Sequence, residues 1–504
     1  MDYLQINARD NVVVTLRDFH AGEKININDR QIILNGDIPR GHKLAINSIG
    51  AEENVIKYGV PIGHATVQVS PGEHVHTHNL KTNLGELLEY QYQPGLQAEG
   101  ERSGVKELEA AKLGTTFQGY RRHDGKVGIR NEIWVIPTVS CVNRTAEIIA
   151  KTAWNELAER TNLDGIYEFK HPYGCSQMGE DQVNTQQILA DLINHPNAAG
   201  VLVLGLGCEN SNVAAIKQVL GDFDSERVKF LVAQEVEDEI ETGVSLIREL
   251  VGVTEKFVRV PCPAAELTIG LKCGGSDGLS GITANPLVGV LSDLLIQAGG
   301  TSLLTEVPEM FGAESILMNR AVSSEVFTKV VSLINDFKSY FMSFQQPIYE
   351  NPSPGNKAGG ISTLEDKSLG CTQKGGNSPV VDVLRYGEKC SLKGLNLLAA
   401  PGNDMVAATA LAAAGAQIIL FTTGRGTPLG TCVPTVKIAT NSELYRRKPN
   451  WMDFDAGKLL SGLSMMELAE QLWSHVLNVA EGEKTKAEDM GFREIAIFKT
   501  GVTL

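Results

Sequence analysis

Hydrophobic positions fall into two regimes along this 504-residue chain. Over residues 1–92 they come in short β-branched runs, NVVVTL, QIILNG, HKLAINSI and HATVQVS, each broken by Gly, Pro or Asn. Such runs predict short strands, and no long amphipathic helical spacing interrupts them. Residues 93–118 are polar and carry little periodicity that demands burial, so they read as a linker with a short helix around KELEAAK. From 119 the pattern alternates. EIWVIPTVSC precedes the helically spaced NRTAEIIAKTAWNELAER, AAGVLVLGLGCEN precedes SNVAAIKQVLGDF, and VKFLVAQEVED precedes EIETGVSLIRELVG. Strand–loop–helix repetition implies mostly parallel sheets covered by helices. The same grammar resumes near 262 with AELTIGLKCGGSDGLSGITANPLVGVLSDLLIQAGG, where Asn285 is the expected helix cap and Pro286 the first helical position. The expected fold is therefore a multidomain α/β chain: a small β domain over 1–92, a linker over 93–118, and α/β domains over 119–260 and 261–504.

Bulk composition narrows the function classes. A net charge of −15 makes nucleic acid a poor default partner. No stretch of 18 or more apolar residues offers a membrane span. The start, MDYLQINARDNVVV, lacks a basic region followed by an apolar core, so no secretory signal is read and the cytoplasm is the expected compartment. Eight scattered cysteines fit reduced thiols there. Glycine is enriched, at 51 residues, and much of it lies in loops where backbone can approach a ligand closely.

Candidate chemistry gathers at two kinds of place. Cys141, Cys175, Cys208 and Cys273 each follow a strand-like run and precede a helix. Ligands of open α/β sheets bind beyond those strand ends. Cys175, Cys208 and Cys273 lie among glycine and polar residues, and two readings stand: small buried thiols, or three thiolates holding an iron–sulfur cluster with one open iron. No CxxC pair supports a zinc ribbon, and neither GxGxxG nor GxxxxGK[ST] supports a nucleotide site. NPSPGNKAGG and TGRGTPLG each place one cation, Lys357 and Arg425, in a glycine loop, and Lys437 adds a third; such groups suit a carboxylate. The second place is GEHVHTHN, residues 72–79. If it is extended, His74, His76 and His78 share one face, as a transition-metal site or as a polar strand face.

With these motifs together, the chain resembles the altronate/galactarate dehydratase family. The resemblance spans the whole length through NVIKYGVPIGHA, GEHVHTHN, YGCSQ, GLGCEN, CGGSDGLSGITANP, LTEVPEMFGAE, NPSPGNKAGG, EDKSLGCTQK, FTTGRGTPLG and VPTVKIATNSEL. It implies an N-terminal SAF-type β-clip domain followed by middle and C-terminal dehydratase domains. The histidine form of GEHVHTHN is similar to the altronate branch. That branch implies dehydration of D-altronate to 2-dehydro-3-deoxy-D-gluconate in hexuronate breakdown, with galactarate or another sugar acid as the alternative substrate. A non-catalytic sugar-acid sensor is the rival from another class. The resemblance further implies ferrous iron, or manganese. In this frame His76 and His78 are the expected metal ligands, with His74 a third. Lys357, Arg425 and Lys437 neutralise the substrate carboxylate, and His42, Lys43 and His171 are the candidate acid–base groups. A homodimer is the expected assembly.

Overall fold

The computed structural model describes residues 2–27, 30–85, 87–94 and 115–504. The short helix expected around KELEAAK lies outside the described residues, as does most of the linker. No helix of the described residues is long and apolar enough to cross a membrane.

The N-terminal part is all strand and turn. Tyr3–Leu4, Val12–Thr15, Lys43–Ala45 and His74–Val75 form one antiparallel sheet in that order, and Asn54–Lys57, Val60–Ala65 and Leu80–Lys81 form another. Period-2 alternation divides the first sheet between two small cores. Val13 and Leu44 pack with Phe19, Ile25 and Ile38. Val12, Ala45 and Val75 pack with Val55, Ile62 and Ala65, and this second core also takes in Ala313 and Leu369 from the far C-terminal part. A shared apolar core of this kind fixes the small domain on the rest of the chain.

Two parallel sheets follow. The first has the order Gly165–Glu168, Glu132–Pro137, Ala198–Gly205, Val228–Val232. All eight residues of Ala198–Gly205 are buried, as a strand covered on both faces requires. The second has seven strands: Val380–Leu384, Gly394–Leu398, Thr301–Leu304, Thr268–Cys273, Ile418–Thr423, Thr435–Ala439 and Phe454–Asp455. The strand grammar of the sequence is thus realised as predominantly parallel sheets. Helix Ala284–Gln297 covers one face of the seven-strand sheet and helix Asp404–Ala413 the other. Gly270 lies where a Cβ would meet Leu411 at 3.1 Å, so the second helix packs closely.

The two sheets are not independent bodies. Trp134, Ile136 and Leu189 share one core with Leu398, Ala408 and Leu411. Strands Thr116–Arg121 and Arg259–Pro263 pair antiparallel with each other, so the edges drawn at 119 and 260 from the sequence fall inside two paired strands. Asn285 is not the cap of its helix: Thr283 precedes the first turn, and Asn285 sits inside it. Its buried amide donates to Gly370 O at 3.0 Å and accepts from Thr422 Oγ1 at 2.6 Å, tying the helix to two loops.

Candidate metal centre at the domain junction

The seven-strand sheet changes direction at Thr268–Cys273. The strands before Thr301–Leu304 in the sheet order lie to one side, and Ile418–Thr423 begins the other. A crevice opens where strand order reverses, beyond the carboxyl ends. The loops there are Gly274–Gly281 and Thr423–Gly430, joined by Gly424 and Arg425 N–H groups that donate to Gly275 O. The N-terminal domain lies over this crevice. Its turn at Gly41 has φ +83°, and a Cβ on Gly278 would lie 1.9 Å from Gly41 O, while one on Gly360 would lie 2.3 Å from it. Glycine at both positions is what lets the two backbones meet.

That contact delivers His42, just before strand Lys43–Ala45. His74 opens the neighbouring strand, opposite Leu44. The chain then leaves the sheet: His76 to Asn79 form a turn in which Asn79 Oδ1 accepts from His76 N at 2.9 Å and Asn79 Nδ2 donates to His74 O at 3.0 Å. One ring nitrogen from each of His42, His74 and His76 therefore lies within 4.8 Å of the others. His42 Nδ1 and His74 Nε2 are 3.0 Å apart. His42 Nε2 faces Ala358 O at 3.4 Å, and His76 Nδ1 faces Ser362 Oγ at 2.9 Å. His42 thus turns Nε2 to the helix and Nδ1 to the cluster.

Burial is the main cause that pushes all three imidazoles down: His42 below its ordinary value, His74 to about 3 and His76 to about 4. The neighbouring Lys43 ammonium and the mutual repulsion of the rings act in the same direction. Lys43 is fully buried and shares Asp366 with Lys57: Lys43 Nζ donates to Asp366 Oδ2 at 2.8 Å, and Lys57 Nζ to Oδ1 at 2.9 Å. Burial alone would raise the Asp366 carboxyl, but the two ammonium groups outweigh it and hold it below the usual carboxylate range. Burial, with the Lys43 charge beside the rings, keeps them neutral. Two neutral imidazole nitrogens 3.0 Å apart either share a proton or share a cation. Neutral nitrogen donors suit a first-row divalent metal, so the residues fit one.

Several residues singled out in the sequence are placed elsewhere. His78 is exposed in the turn and is not one of the three converging rings, although its ring centroid lies 5.4 Å from that of His74. The reason is the turn, which ends strand alternation after Val75. Lys43 donates to Asp366 and to Gly360 O, each at 2.8 Å, and burial pushes its ammonium down to about 8. His171 is buried in the other sheet's loops, with Nε2 on Pro137 O at 2.8 Å and Nδ1 accepting from Tyr173 N at 3.2 Å; both nitrogens are used. Lys437 is also buried, and its ammonium donates to the carbonyls of Thr427 and Leu429, closing the glycine loop on itself. Lys357 lies on the helix Pro354–Ala358, whose last carbonyl faces His42. The exposed Arg425 side chain runs alongside that helix, with Cδ and Nε 3.9 Å from where a Gly355 Cβ would be.

Cys175, Cys208 and Cys273 do not converge. Cys175 and Cys208 are exposed at the ends of the four-strand sheet, whereas Cys273 is buried at the end of the central strand of the other sheet, 3.4 Å from Cys371. Among the described residues, the three-residue groups close enough to hold a metal are His42–His74–His76 and Cys273–Glu309–Cys371. Sequence reasoning missed Lys57, Ser362 and Asp366. All three lie in the polar-looking motifs NVIKYG and GGISTLEDK.

The family profile of the altronate/galactarate dehydratase SAF domain matches residues 1–83, that of the D-galactarate dehydratase/altronate hydrolase second domain matches 119–255, and that of the D-galactarate/altronate dehydratase C-terminal domain matches 264–503. The chain is 54% identical to the altronate dehydratase of Bacillus subtilis over 503 residues, covering 100% of this chain and 99% of that one. The chain belongs to the altronate/galactarate dehydratase family. Another member, the altronate dehydratase of Escherichia coli, is 53% identical over 504 residues, covering both chains completely. The galactarate dehydratase (L-threo-forming) of Escherichia coli is 32% identical over 525 residues, covering 98% of this chain and 96% of that one. The histidine trio lies at the seam between the segments matched by the SAF-domain and C-terminal-domain profiles.

Proposed function

We propose that this chain is a hydro-lyase that converts D-altronate to 2-dehydro-3-deoxy-D-gluconate and water. The observation that carries the reading is the convergence of three neutral imidazoles on the seam over the sheet's switch point, in a chain whose full-length similarity runs to altronate dehydratases. Similarity at 54% and 53% to those two, against 32% to a galactarate dehydratase, favours the aldonate over the aldarate.

Loss of water across C2 and C3 of an aldonate requires removal of a weakly acidic proton beside a carboxylate. The charge that develops needs stabilisation, and the leaving hydroxyl needs a proton. His42, His74 and His76 would hold a divalent cation, ferrous iron or manganese, which when bound supplies Lewis acidity toward substrate oxygens. Lys357, on the helix that faces His42, and Arg425, alongside that helix, bind the substrate carboxylate. Asp366, Lys43 and Lys57 fix the small domain in place, while burial and the Lys43 charge keep the imidazoles unprotonated. The chain works in the cytoplasm as a homodimer in this reading, and light scattering on the purified protein tests the assembly.

The deciding experiment is to incubate the purified chain with Fe²⁺ and D-altronate and assay for 2-keto acid, beside parallel reactions with galactarate and mannonate. Turnover of altronate is expected to exceed that of the other two. Specific binding of altronate without product would make the chain a sugar-acid sensor instead.

A further inference from the structure

A second cluster of donors lies deeper in the C-terminal part and shares no residue with the histidine trio. Cys273 ends the central strand of the seven-strand sheet. Glu309 lies in the short 3-10 turn Val307–Met310 after the neighbouring strand, and Cys371 ends the helix Leu364–Cys371. All three side chains are buried. Glu309 Oε2 lies 3.0 Å from Cys273 Sγ and 3.2 Å from Cys371 Sγ, and the two sulfurs are 3.4 Å apart. We propose that Cys273, Glu309 and Cys371 form a second divalent-cation site, selective for a borderline-soft metal such as zinc or ferrous iron.

Three observations support it. The first is shape. Metal–sulfur bonds of about 2.3 Å and metal–oxygen bonds of about 2.0–2.2 Å put tetrahedral donors roughly 3.4–3.8 Å apart. The triangle here is smaller by a few tenths of an ångström, a spread that side-chain rotation supplies. The second is charge. Lys272, Lys367 and Lys374 face Glu306, Glu309 and Asp404: Lys367 Nζ is 2.7 Å from Glu309 Oε1, Lys272 reaches Glu306 and is 2.8 Å from Asp404, and Lys374 is 3.4 Å from Glu306. Three cations meet three anions, so the apo cluster with neutral thiols is balanced. Binding releases two thiol protons as one dication enters, M²⁺ + 2 Cys–SH → M(Cys–S)₂ + 2 H⁺, with no electron transferred and no change in net charge. A buried site tolerates binding that adds no uncompensated charge. The third is the carboxylate itself. Glu309 Oε2 lies close to both sulfurs, and Lys367 occupies its other oxygen. Without metal both thiols donate to Glu309 Oε2, so this one carboxylate oxygen is aimed at both sulfurs. The cluster also borders the small cavity lined by Ser276, Gly281, Asp366 and Cys371, which lies under the N-terminal domain.

Metal uptake by this cluster does not depend on the substrate, and it is read without turnover. The full-length chain is purified anaerobically, stripped with a chelator and titrated with Co²⁺. The His74→Ala/His76→Ala variant is titrated beside it to silence the first site. That variant is expected to retain about one equivalent of cobalt, with thiolate-to-cobalt charge-transfer absorption in the near ultraviolet. Adding Cys371→Ser is expected to abolish that absorption. Should the serine variant fail to fold, alkylation of the wild type mapped by mass spectrometry gives the same information, because bound metal is expected to slow modification of Cys273 and Cys371 at least tenfold. Saturation with cobalt without any charge-transfer band, equal alkylation of stripped and loaded protein, or a Cys273–Cys371 disulfide in the anaerobic preparation would each overturn the site.

Discussion

The two parallel sheets end in the same kind of loop and put it to different use. Both carry glycine and cysteine just beyond the strand ends: Cys175 and Cys208 on the four-strand sheet, Cys273 on the seven-strand sheet. Only the seven-strand sheet has the β-clip domain folded over those ends, through the Gly41–Gly278–Gly360 contact and the core shared with Ala313 and Leu369. Cys175 and Cys208 remain exposed, with Ser176 and Gln234 as neighbours. Cys273 is buried among charges. A strand-end address is therefore permissive, and it is the covering domain that gathers side chains there. It brings His42, His74 and His76 in from a second direction and buries the loops beneath.

The sharpest way to break the comparison is to delete donors on each side. His74→Ala and His76→Ala are each expected to lower iron affinity and turnover by more than about 100-fold, since removing a ligand exceeds the 10–100-fold cost of removing an outer-shell partner. Cys175→Ser and Cys208→Ser are expected to leave both within about twofold. Metal content after gel filtration and steady-state assays read both sets. Loss of iron from the cysteine variants with retention in the histidine variants would reverse the assignment of the two sheets.

Next in size is the clamp beneath the trio. Asp366→Asn leaves Lys43 and Lys57 buried without a carboxylate, and breaking a buried pair costs about 3–5 kcal/mol. Urea unfolding near neutral pH is expected to show a loss of that order. The folded Asp366 carboxyl is depressed relative to its unfolded value near about 3.9. Its contribution is therefore complete above that value and lost as pH falls through the depressed one. The stability gap between wild type and Asp366→Asn is expected to narrow as pH is lowered from about 5 to about 3. A gap that widens toward acid would show that Asp366 is protonated in the folded chain.

The sequence made the sheets legible and the clamp illegible for one reason. Ala198–Gly205 is a local pattern, eight buried residues in a row, and hydrophobic runs announce buried strands without reference to anything distant. Lys43, Lys57 and Asp366 pair across more than 300 residues, in stretches whose composition looks solvated. His74 and His76 were visible because they are two residues apart. His42 is visible as chemistry, but its approach to His74 is not, because that distance depends on strand pairing. The placing of His78 outside the three converging rings has a local reason that the sequence does contain. Asn79, three residues after His76, is the residue type that closes a turn through its side chain, and a turn there ends the alternation on which a three-histidine face depended.

A smaller effect tests whether close backbone approach is what makes the covered sheet different. A Cβ on Gly278 would meet Gly41 O at 1.9 Å, backbone against backbone, so no side-chain rotation relieves it. Gly278→Ala is expected to push the β-clip turn outward, carrying His42 away from His74 and His76, which are anchored by their own strand and turn. Iron affinity is expected to fall about tenfold, with the His74–His76 pair still binding. Gly125→Ala, where a Cβ meets nothing within 4 Å, is the control for a glycine change elsewhere, although its φ of +84° carries its own strain.

The smallest effect isolates His78 from the trio. Its ring stands beside His74, but the turn points it to solvent, and the three converging nitrogens belong to His42, His74 and His76. His78→Ala should therefore keep its iron, with affinity within about threefold of wild type, because no ligand and no orienting partner is lost. If His78 exchanges the substrate's proton with solvent, turnover drops while metal content does not, and small imidazole-type bases added to the assay restore part of it. If His78→Ala loses iron along with activity, the turn must rearrange on metal binding to bring a fourth imidazole inward, and the covering domain would then be a mobile contributor rather than a fixed one.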